Sequence, residues 1–377
     1  MILYIPLFVC IILAELSSLQ ANINPLAGSG QISAYQESHI TSCDGTELYS
    51  VFMPAHAPAR INTPAPEQIP TIIWVHGYGK HCQRYLHAMT YFAQHGFSSI
   101  GFDIRGHGRS GGQRAHLEKF SDCLDDFDAV YQFYKDKING KLFIIAHSMG
   151  SLLAIRHLEQ DSQLPIDATI LTAPCLDIHA QHLPRYKRFA IKIVSKIFPR
   201  WKVPIDSQEK KFRYTHHTTQ DILPDPYNLT SGTLKSISQA LTTFDTALHE
   251  AHKISKPIHI IMGGQDAIVD NIKTQKFYSY LPDDLEKSII TYDDMYHSIL
   301  HEVDREQIFE RITGIFNKHI FGTYQVNHNN FKNNFIHSSY TIFEKNYSYQ
   351  LCQFGSHRPS CILHNDQSLD YAPVFVI

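Results

Sequence analysis

The sequence predicts an α/β fold: a mostly parallel central sheet covered by helices on both faces, with a helical cap inserted after the fourth buried strand. Three observations predict it. Short continuous apolar runs alternate with segments of helical periodicity along the middle of the chain, and uninterrupted apolar strands are what a parallel sheet buried on both faces requires. No period of about 20–50 residues recurs, which excludes repeat architectures. One stretch of some 80 residues, from 175 to about 255, carries no convincing strand, as expected of an insertion over one end of the sheet.

In chain order, residues 32–53 read as one or two strands turning at Asp44-Gly45, a favoured turn pair. Residues 71–76 (TIIWVH) form a buried strand, 83–95 a helix, and 97–103 (FSSIGFD) a second buried strand. Residues 117–134 are helical because Phe120, Leu124, Phe127 and Val130-Tyr131 return to one face. A third buried strand at 141–146 (KLFIIA), a helix at 149–159 and a fourth strand at 168–172 (ATILT) follow. Beyond the cap, 257–262 (PIHIIM) and 288–292 (SIITY) are strands flanking a helix near 272–281, and a last helix runs over about 304–318.

The two ends differ from this core, which is assigned to residues 22–321. Residues 1–14 are an apolar run that stops at Glu15 and leads to Ser17, Ser18 and Ala21. Residues 1–21 therefore read as a signal peptide or anchor, cleavage being favoured, and the apolar run is too short to span a bilayer. A working signal implies export, whether secreted, periplasmic or membrane-associated; otherwise the location is cytoplasmic or peripheral to a membrane. Its removal leaves six of the seven cysteines, with Cys352 and Cys361 a candidate pair in an oxidising compartment. Residues 322–377 are Asn-rich with isolated aromatics and show no sustained periodicity, so they read as an appendage, poorly ordered or loosely packed, with a small docked lobe as the alternative.

Composition excludes several classes. With 33 basic and 36 acidic residues the formal charge is −3, which argues against a nucleic-acid partner. Seven cysteines without a C-x-x-C pair, and 24 scattered histidines, show no spacing typical of a zinc site. No metal or organic cofactor is implied.

The chemistry lies at strand ends. Ala146-His147-Ser148-Met149-Gly150 joins the third buried strand directly to a helix, the context of a nucleophile elbow, in which small residues two before and two after the serine let a strained turn close. Alone the match is weak, because a small-residue helix N-cap gives the same pattern. A serine hydroxyl needs a histidine to accept its proton and an acid to orient that histidine. Asp266 follows the PIHIIM strand in Gly263-Gly264-Gln265-Asp266, and His297 follows the SIITY strand in Asp293-Asp294-Met295-Tyr296-His297. In an open parallel sheet these ends share one edge with Ser148. Asp270 and His301 are the competing assignments, less favoured because neither directly follows a buried strand. Donors for an oxyanion are available from the N–H of Met149 and, in His76-Gly77-Tyr78-Gly79, from that of Tyr78; losing one such donor costs about 3 kcal/mol of barrier stabilisation.

One motif competes. Gly106-His107-Gly108-Arg109-Ser110-Gly111 matches the dinucleotide-binding pattern G-x-G-x-x-G after a strand. That reading requires a helix to start within the motif, whereas helical periodicity begins only near Leu117.

The cap carries a charge anomaly. Between 185 and 213 stand ten basic residues against Asp206 and Glu209, a local excess of eight positive charges in a chain of −3. Tyr186, Phe189, Ala190, Ile193, Val194 and Ile197 recur at helical spacing, with Arg188, Lys192 and Lys196 on another face. Two readings have comparable weight: the apolar stripe packs on the domain while the charges are solvated, or the helix rests on an anionic lipid surface and guards an acyl-chain tunnel.

Together, His76-Gly77-Tyr78-Gly79 with Arg84-Tyr85, Asp103-Ile104-Arg105-Gly106-His107-Gly108-Arg109-Ser110-Gly111-Gly112, His147-Ser148-Met149-Gly150, Gly264-Gln265-Asp266 and Tyr296-His297 resemble the monoacylglycerol lipase and lysophospholipase group of α/β-hydrolases. The match spans roughly residues 39–318. The resemblance implies nucleophile, acid and base at Ser148, Asp266 and His297, oxyanion donors at Tyr78 and Met149, and hydrolysis of single-chain acyl-lipid esters through an acyl-enzyme. Ala146 and Ser151 depart from the family's usual glycines, and neither removes a catalytic group. The alternatives are a short-chain esterase, thioesterase or peptidase on the same fold, or an inactive lipid-binding protein. Oligomeric state is left open.

Overall fold

A computed structural model of the protein describes residues 32–56, 68–160, 164–179, 183–204, 225–321, 340–345 and 348–353. Residues 1–21, residues 205–224 of the cap, and Cys361 lie outside them.

Up to residue 321 the chain is organised by an eight-stranded sheet in the order β1-β2-β4-β3-β5-β6-β9-β10. The strands β1 (Gln36–Thr41) and β2 (Glu47–Met53) form an antiparallel pair that joins β4 (Ser98–Phe102) antiparallel. From there β3 (Thr71–Val75), β5 (Leu142–His147), β6 (Ile166–Thr172), β9 (Ile258–Gly263) and β10 (Lys287–Tyr292) are all parallel to their neighbours. The sheet is thus mostly parallel, as the apolar runs require.

The inner strands β3, β4, β5 and β9 are buried on both faces and β6 nearly so, whereas the edge strands β1 and β10 are partly exposed; alternate residues of the inner strands serve different cores. Ile73, Val75, Ile144 and Ala146 join a core with Phe127 and Leu152. Ile72, Trp74, Phe143 and Ile145 join another with Phe92, Phe309 and Phe316. Helices α1 (Leu86–Gln94) and α7 (Arg305–Phe321) cover the second face; α2 (Ser121–Tyr134), α3 (Met149–Leu158) and α6 (Asn271–Tyr280) cover the first. Phe143 stacks on Phe316 with centroids 4.1 Å apart, and each such buried side chain contributes roughly 1.5–3 kcal/mol.

Helix α2 begins four residues later than its periodicity predicts, because the cap competes for the backbone before it. Leu117 donates its N–H to Ser236 Oγ (2.7 Å) and Phe120 donates to Gln239 Oε1 (3.2 Å). The cap comprises α4 (Arg185–Ile197), a short antiparallel ribbon of β7 (Lys202–Pro204) and β8 (Ser231–Thr233), and α5 (Leu234–Glu250), capped at its N-terminus by Thr233. The three-residue strands correct the expectation of a cap without strands; they are too short to carry a period-2 signal.

Of the two readings of helix α4, the one that packs its apolar stripe on the domain is not what the structure shows. Tyr186, Phe189, Ile193 and Ile197 are 71%, 68%, 46% and 68% exposed, so the apolar stripe faces outward. Inward stand Arg188, Ile191, Val194 and Ser195. Arg188 is therefore no surface cation: its Nη1 donates to Asp177 Oδ1 (2.5 Å), Nε to Leu183 O and Nη2 to Ile178 O. The ion pair and two carbonyls make an inward arginine affordable. Lys192 and Lys196 remain exposed.

A second compact unit, Thr323–Ile377, contains an antiparallel hairpin of β11 (Tyr340–Lys345) and β12 (Ser348–Gln353) with Tyr340 opposite Gln353. The hairpin departs from the expected lack of strand structure there. Its strands mix apolar and polar residues on each face, so alternation does not announce them. Among the described residues no helix is long and apolar enough to cross a membrane.

Candidate active site

The parallel topology delivers β3, β5, β6, β9 and β10 to one edge at their C-terminal ends. Strand β5 passes through Ser148 straight into α3, and Ser148 takes φ +54°, ψ −118°, a strained region for a residue with a Cβ. The surroundings hold it there. Ser148 N–H donates to Thr172 O (3.0 Å), and its carbonyl accepts from Cys175 N–H (3.1 Å). Ser151 donates its hydroxyl to Ala146 O (2.8 Å). The two positions that depart from the family's glycines are thus bonded to each other and brace the turn.

Helix α3 lies close against β3: a Cβ on Gly150 would stand 2.7 Å from His76 O, and one on Gly77 would stand 3.1 Å from Ser148 Cβ. Only glycines let the loop after β3 approach the serine this closely. Tyr78 follows Gly77 in that loop. Its N–H has no hydrogen-bond partner among the described residues, and the Met149 N–H, first in its helix, has none within the helix.

Asp266 and His297 arrive on adjacent loops laced together by backbone. Gly264 N–H donates to Tyr292 O (2.8 Å) and Gln265 N–H to Met295 O (2.9 Å). Asp266 Oδ1 accepts from the N–H groups of Ile268 (2.9 Å) and Val269 (3.1 Å), which leaves Oδ2 aimed at the imidazole. His297 Nδ1 donates to Asp266 Oδ2 at 2.7 Å, and Ser148 Oγ donates to His297 Nε2 at 3.0 Å. All three are buried. The donor-to-acceptor chain fixes the tautomer, because the carboxylate only accepts. An arrangement of this kind can withdraw a proton from the hydroxyl and stabilise the resulting imidazolium.

The competing residues are employed elsewhere. Asp270 caps α6 through Ile272 N–H (3.0 Å), and His301 Nε2 donates to Arg84 O (3.1 Å) in a 3-10 turn. The glycine-rich motif wraps around a carboxylate of its own chain: Asp103 accepts from Cys82 N–H and Arg109 N–H, both at 2.7 Å. No helix starts within it, and α2 begins at Ser121.

Sequence reasoning missed the residues that clamp the cap on this edge. His81 Nε2 lies 2.8 Å from Asp225 Oδ2, with Arg84 Nη1 at 3.7 Å. Burial works to raise the Asp225 pKa, but the His81 hydrogen bond and charge, the Tyr227 N–H and Arg84 outweigh it and hold it at about 2. Arg114 donates to Gly108 O and Tyr227 O, and Arg109 stacks over Tyr227. Nothing in the spacing of these residues pairs them before folding. His147 was also missed; its ring lies 4.9 Å from that of His297.

Between α4, α5 and α6 lies a cavity of about 620 Å³, lined on one part by Leu176, Ile178, Leu183, Leu241, Phe244 and Leu248 and on another by Arg185, Arg188, Lys192 and Lys273 with three carboxylates. Ser148 and His297 do not line it, but its wall at Leu176 follows Cys175, which is bonded to Ser148 O. Its three carboxylates are engaged: Asp177 with Arg188, Asp245 3.7 Å from Lys192, and Asp270 as the cap of α6.

Sheet order, the strand-turn-helix at Ser148 and the inserted cap define an α/β-hydrolase. A family model described as serine aminopeptidase, S33, matches residues 66–304, and the chain belongs to that hydrolase family. Phospholipase YtpA of Bacillus subtilis is 23% identical over 260 residues, covering 68% of this chain and 98% of that protein. Monoacylglycerol lipase of Mycolicibacterium smegmatis is 22% identical over 263 residues, 68% of this chain and 91% of that one. An uncharacterized abhydrolase domain-containing protein of Dictyostelium discoideum is 24% identical over 251 residues, 65% of this chain but only 26% of its own length. Among solved structures, a soluble variant of monoglyceride lipase from Saccharomyces cerevisiae in complex with a substrate analog superimposes with a TM-score of 0.66 at 21% identity, covering 78% of this chain and 98% of that one. The chain falls in the monoglyceride-lipase-like group that its linked motifs resemble, and its enzyme class is that of the carboxylic ester hydrolases.

Proposed function

We propose that the protein hydrolyses carboxylic esters of single-chain acyl lipids, monoacylglycerol or lysophospholipid, through an acyl-enzyme on Ser148. The observation that carries this reading is the buried chain Ser148 Oγ, His297 Nε2/Nδ1, Asp266 Oδ2 at 3.0 and 2.7 Å. Ser148 attacks the ester carbonyl as His297 takes its proton, and His297 then delivers that proton to the leaving alcohol. Asp266 holds the imidazole, and the N–H groups of Tyr78 and Met149 receive the oxyanion. Water, deprotonated by His297, attacks the acyl-enzyme and releases the fatty acid. The apolar half of the cavity between α4, α5 and α6, formed by Leu176, Ile178, Leu183, Leu241, Phe244 and Leu248, supports an acyl chain as the group bound.

The family's description as an aminopeptidase raises a second reading. A peptide's ammonium terminus needs a carboxylate partner, and the three carboxylates of the cavity already have partners. That favours the neutral acyl chain. The cap's outward face, with Tyr186, Phe189, Ile193 and Ile197 among Lys187, Lys192 and Lys196, supports peripheral contact with an anionic lipid surface.

The test is competitive turnover of monoacylglycerol, lysophospholipid and an aminoacyl arylamide by the purified protein, across acyl lengths. A kcat/KM that rises with chain length and a glycerol or glycerophosphate head group is expected. Preference for acetyl esters or for the arylamide contradicts the proposal.

A further inference from the structure

At the opposite edge of the sheet from Ser148, three side chains converge that the proposed chemistry does not use. His259 is the second residue of β9, Glu286 directly precedes β10, and His319 lies in the last turn of α7. One ligand atom from each lies within 4.8 Å of the other two. Parallel pairing of Ser288 with His259 brings the two strand starts together, and α7 ends over them.

One of the two imidazoles, that of His259, is held as a ligand is held. His259 is 6% exposed, and its Nδ1 lies 2.8 Å from Ser288 Oγ. With that nitrogen occupied, Nε2 is left buried and without a hydrogen-bond partner among the described residues; His319 Nε2 is in the same state. A buried imidazole nitrogen is rarely left unpaired. The outward hydrogen bond from the other ring nitrogen is the usual support of a metal-binding histidine. Burial also lowers the pKa of both rings, that of His259 to about 4, which keeps their lone pairs available near neutral pH. Glu286 Oε1 is 3.7 Å from His319 Nε2 and accepts from Lys318 Nζ at 2.8 Å. The lysine is half exposed and free to swing away when a stronger cation arrives.

We propose that His259, Glu286 and His319 bind a divalent transition-metal cation of the zinc class. Two imidazoles and one carboxylate suit zinc rather than magnesium or calcium, which prefer all-oxygen shells. Three protein ligands leave a fourth tetrahedral position for water, with metal–ligand distances of about 2.0–2.2 Å. The three atoms must draw together by roughly 1 Å to reach that geometry, which rotation of the exposed Glu286 and half-buried His319 side chains supplies. The ion ties the end of α7 to the β9 and β10 edge and takes no part in ester hydrolysis, because β9 separates it from Asp266. No sequence spacing could show this, since the ligands are 27 and 33 residues apart.

The test is titration of the chelator-stripped full chain with Zn²⁺ by calorimetry and thermal melting, with Co²⁺ as an optical probe. One Zn²⁺ per chain is expected. A hundredfold excess over Kd raises Tm by roughly 5–10 °C, and Co²⁺ gives the visible absorption of a tetrahedral site. His319→Ala and Glu286→Gln each weaken binding at least about tenfold. Melting without metal confirms that these two variants remain folded, and neither substitution touches the buried His259. The absence of saturable Zn²⁺ binding, or stoichiometric binding unchanged by both substitutions, overturns the proposal.

Discussion

Replacing Gly150 by alanine tests how tightly the serine turn is held. A Cβ there stands 2.7 Å from His76 O and 2.8 Å from the Val75 carbonyl carbon, with Val75 O closer still, whereas ordinary contact begins at 3.4 Å. These neighbours belong to or adjoin the central strand β3 and cannot rotate away, so α3 must withdraw from β3 by about 0.7 Å or more. Overpacking of this size costs about 1–3 kcal/mol, a fall in Tm of roughly 2–10 °C for a domain this large. The same shift moves Ser148 and the Met149 N–H away from the Tyr78 loop. Misplacement approaching 1 Å reduces turnover by up to about 100-fold, so kcat on a p-nitrophenyl ester should fall roughly 10–100-fold while KM changes little. Gly314→Ala in α7 is the control: no atom lies within 4 Å of its Cβ, and alanine there should be neutral or stabilising by up to about 1 kcal/mol. If Gly150→Ala keeps kcat within about twofold and melts with the parent, the close seating of α3 on β3 does not position the serine.

Acid should unfold the protein early. His76, His107 and His301 are buried and neutral, their pKa values lowered chiefly by burial, that of His107 to about 4. The unfolded chain takes up these protons near pH 6.5 and the folded chain does not, so stability is complete above that pH and falls as pH drops toward 4. His107 alone accounts for about 3 kcal/mol of the loss by pH 4, measurable as a declining urea midpoint; a flat midpoint across this window contradicts the burial argument. Asp225→Asn should cost about 1–3 kcal/mol and speed proteolysis near the cap, since His81 and Arg84 lose their carboxylate. Because the Asp225 pKa of about 2 lies below the unfolded value, its contribution is present above about pH 4 and lost between pH 4 and 2, and the variant should show no such loss. At the cap, Lys192→Glu with Lys196→Glu should weaken binding to anionic vesicles at least about tenfold, and Phe189→Ser should weaken it further. Unchanged co-sedimentation would leave α4 without a membrane role.

Much of the fold is legible because buried parallel strands are locally encoded. Residues 71–76 and 141–146 read as strands from composition alone, and both faces prove apolar because both are covered. Likewise, Ser148, Asp266 and His297 could be chosen because each follows an apolar strand-like run, although β10, the strand before His297, proves to be a partly exposed edge strand, and topology then brings strand ends to one edge. Long-range competition was invisible. The late start of α2 depends on Ser236 and Gln239, and the inward turn of Arg188 depends on Asp177. The helical spacing of α4 revealed an apolar stripe but could not say which way it faces; in the structure Arg188, paired with Asp177, turns inward beside Ile191, Val194 and Ser195, while Lys192 and Lys196 stay exposed. The clamp of Asp225 on His81 bridges 144 residues, a separation for which sequence offers no local signal.

The central claim is that Ser148 is activated as a nucleophile by His297. Labelling of the folded protein with a fluorophosphonate, followed by peptide mapping, tests it directly. The adduct should fall on Ser148, be absent from Ser148→Ala, and form at least about 100-fold more slowly in His297→Ala. Labelling at another residue, or undiminished labelling of either variant, would contradict the account.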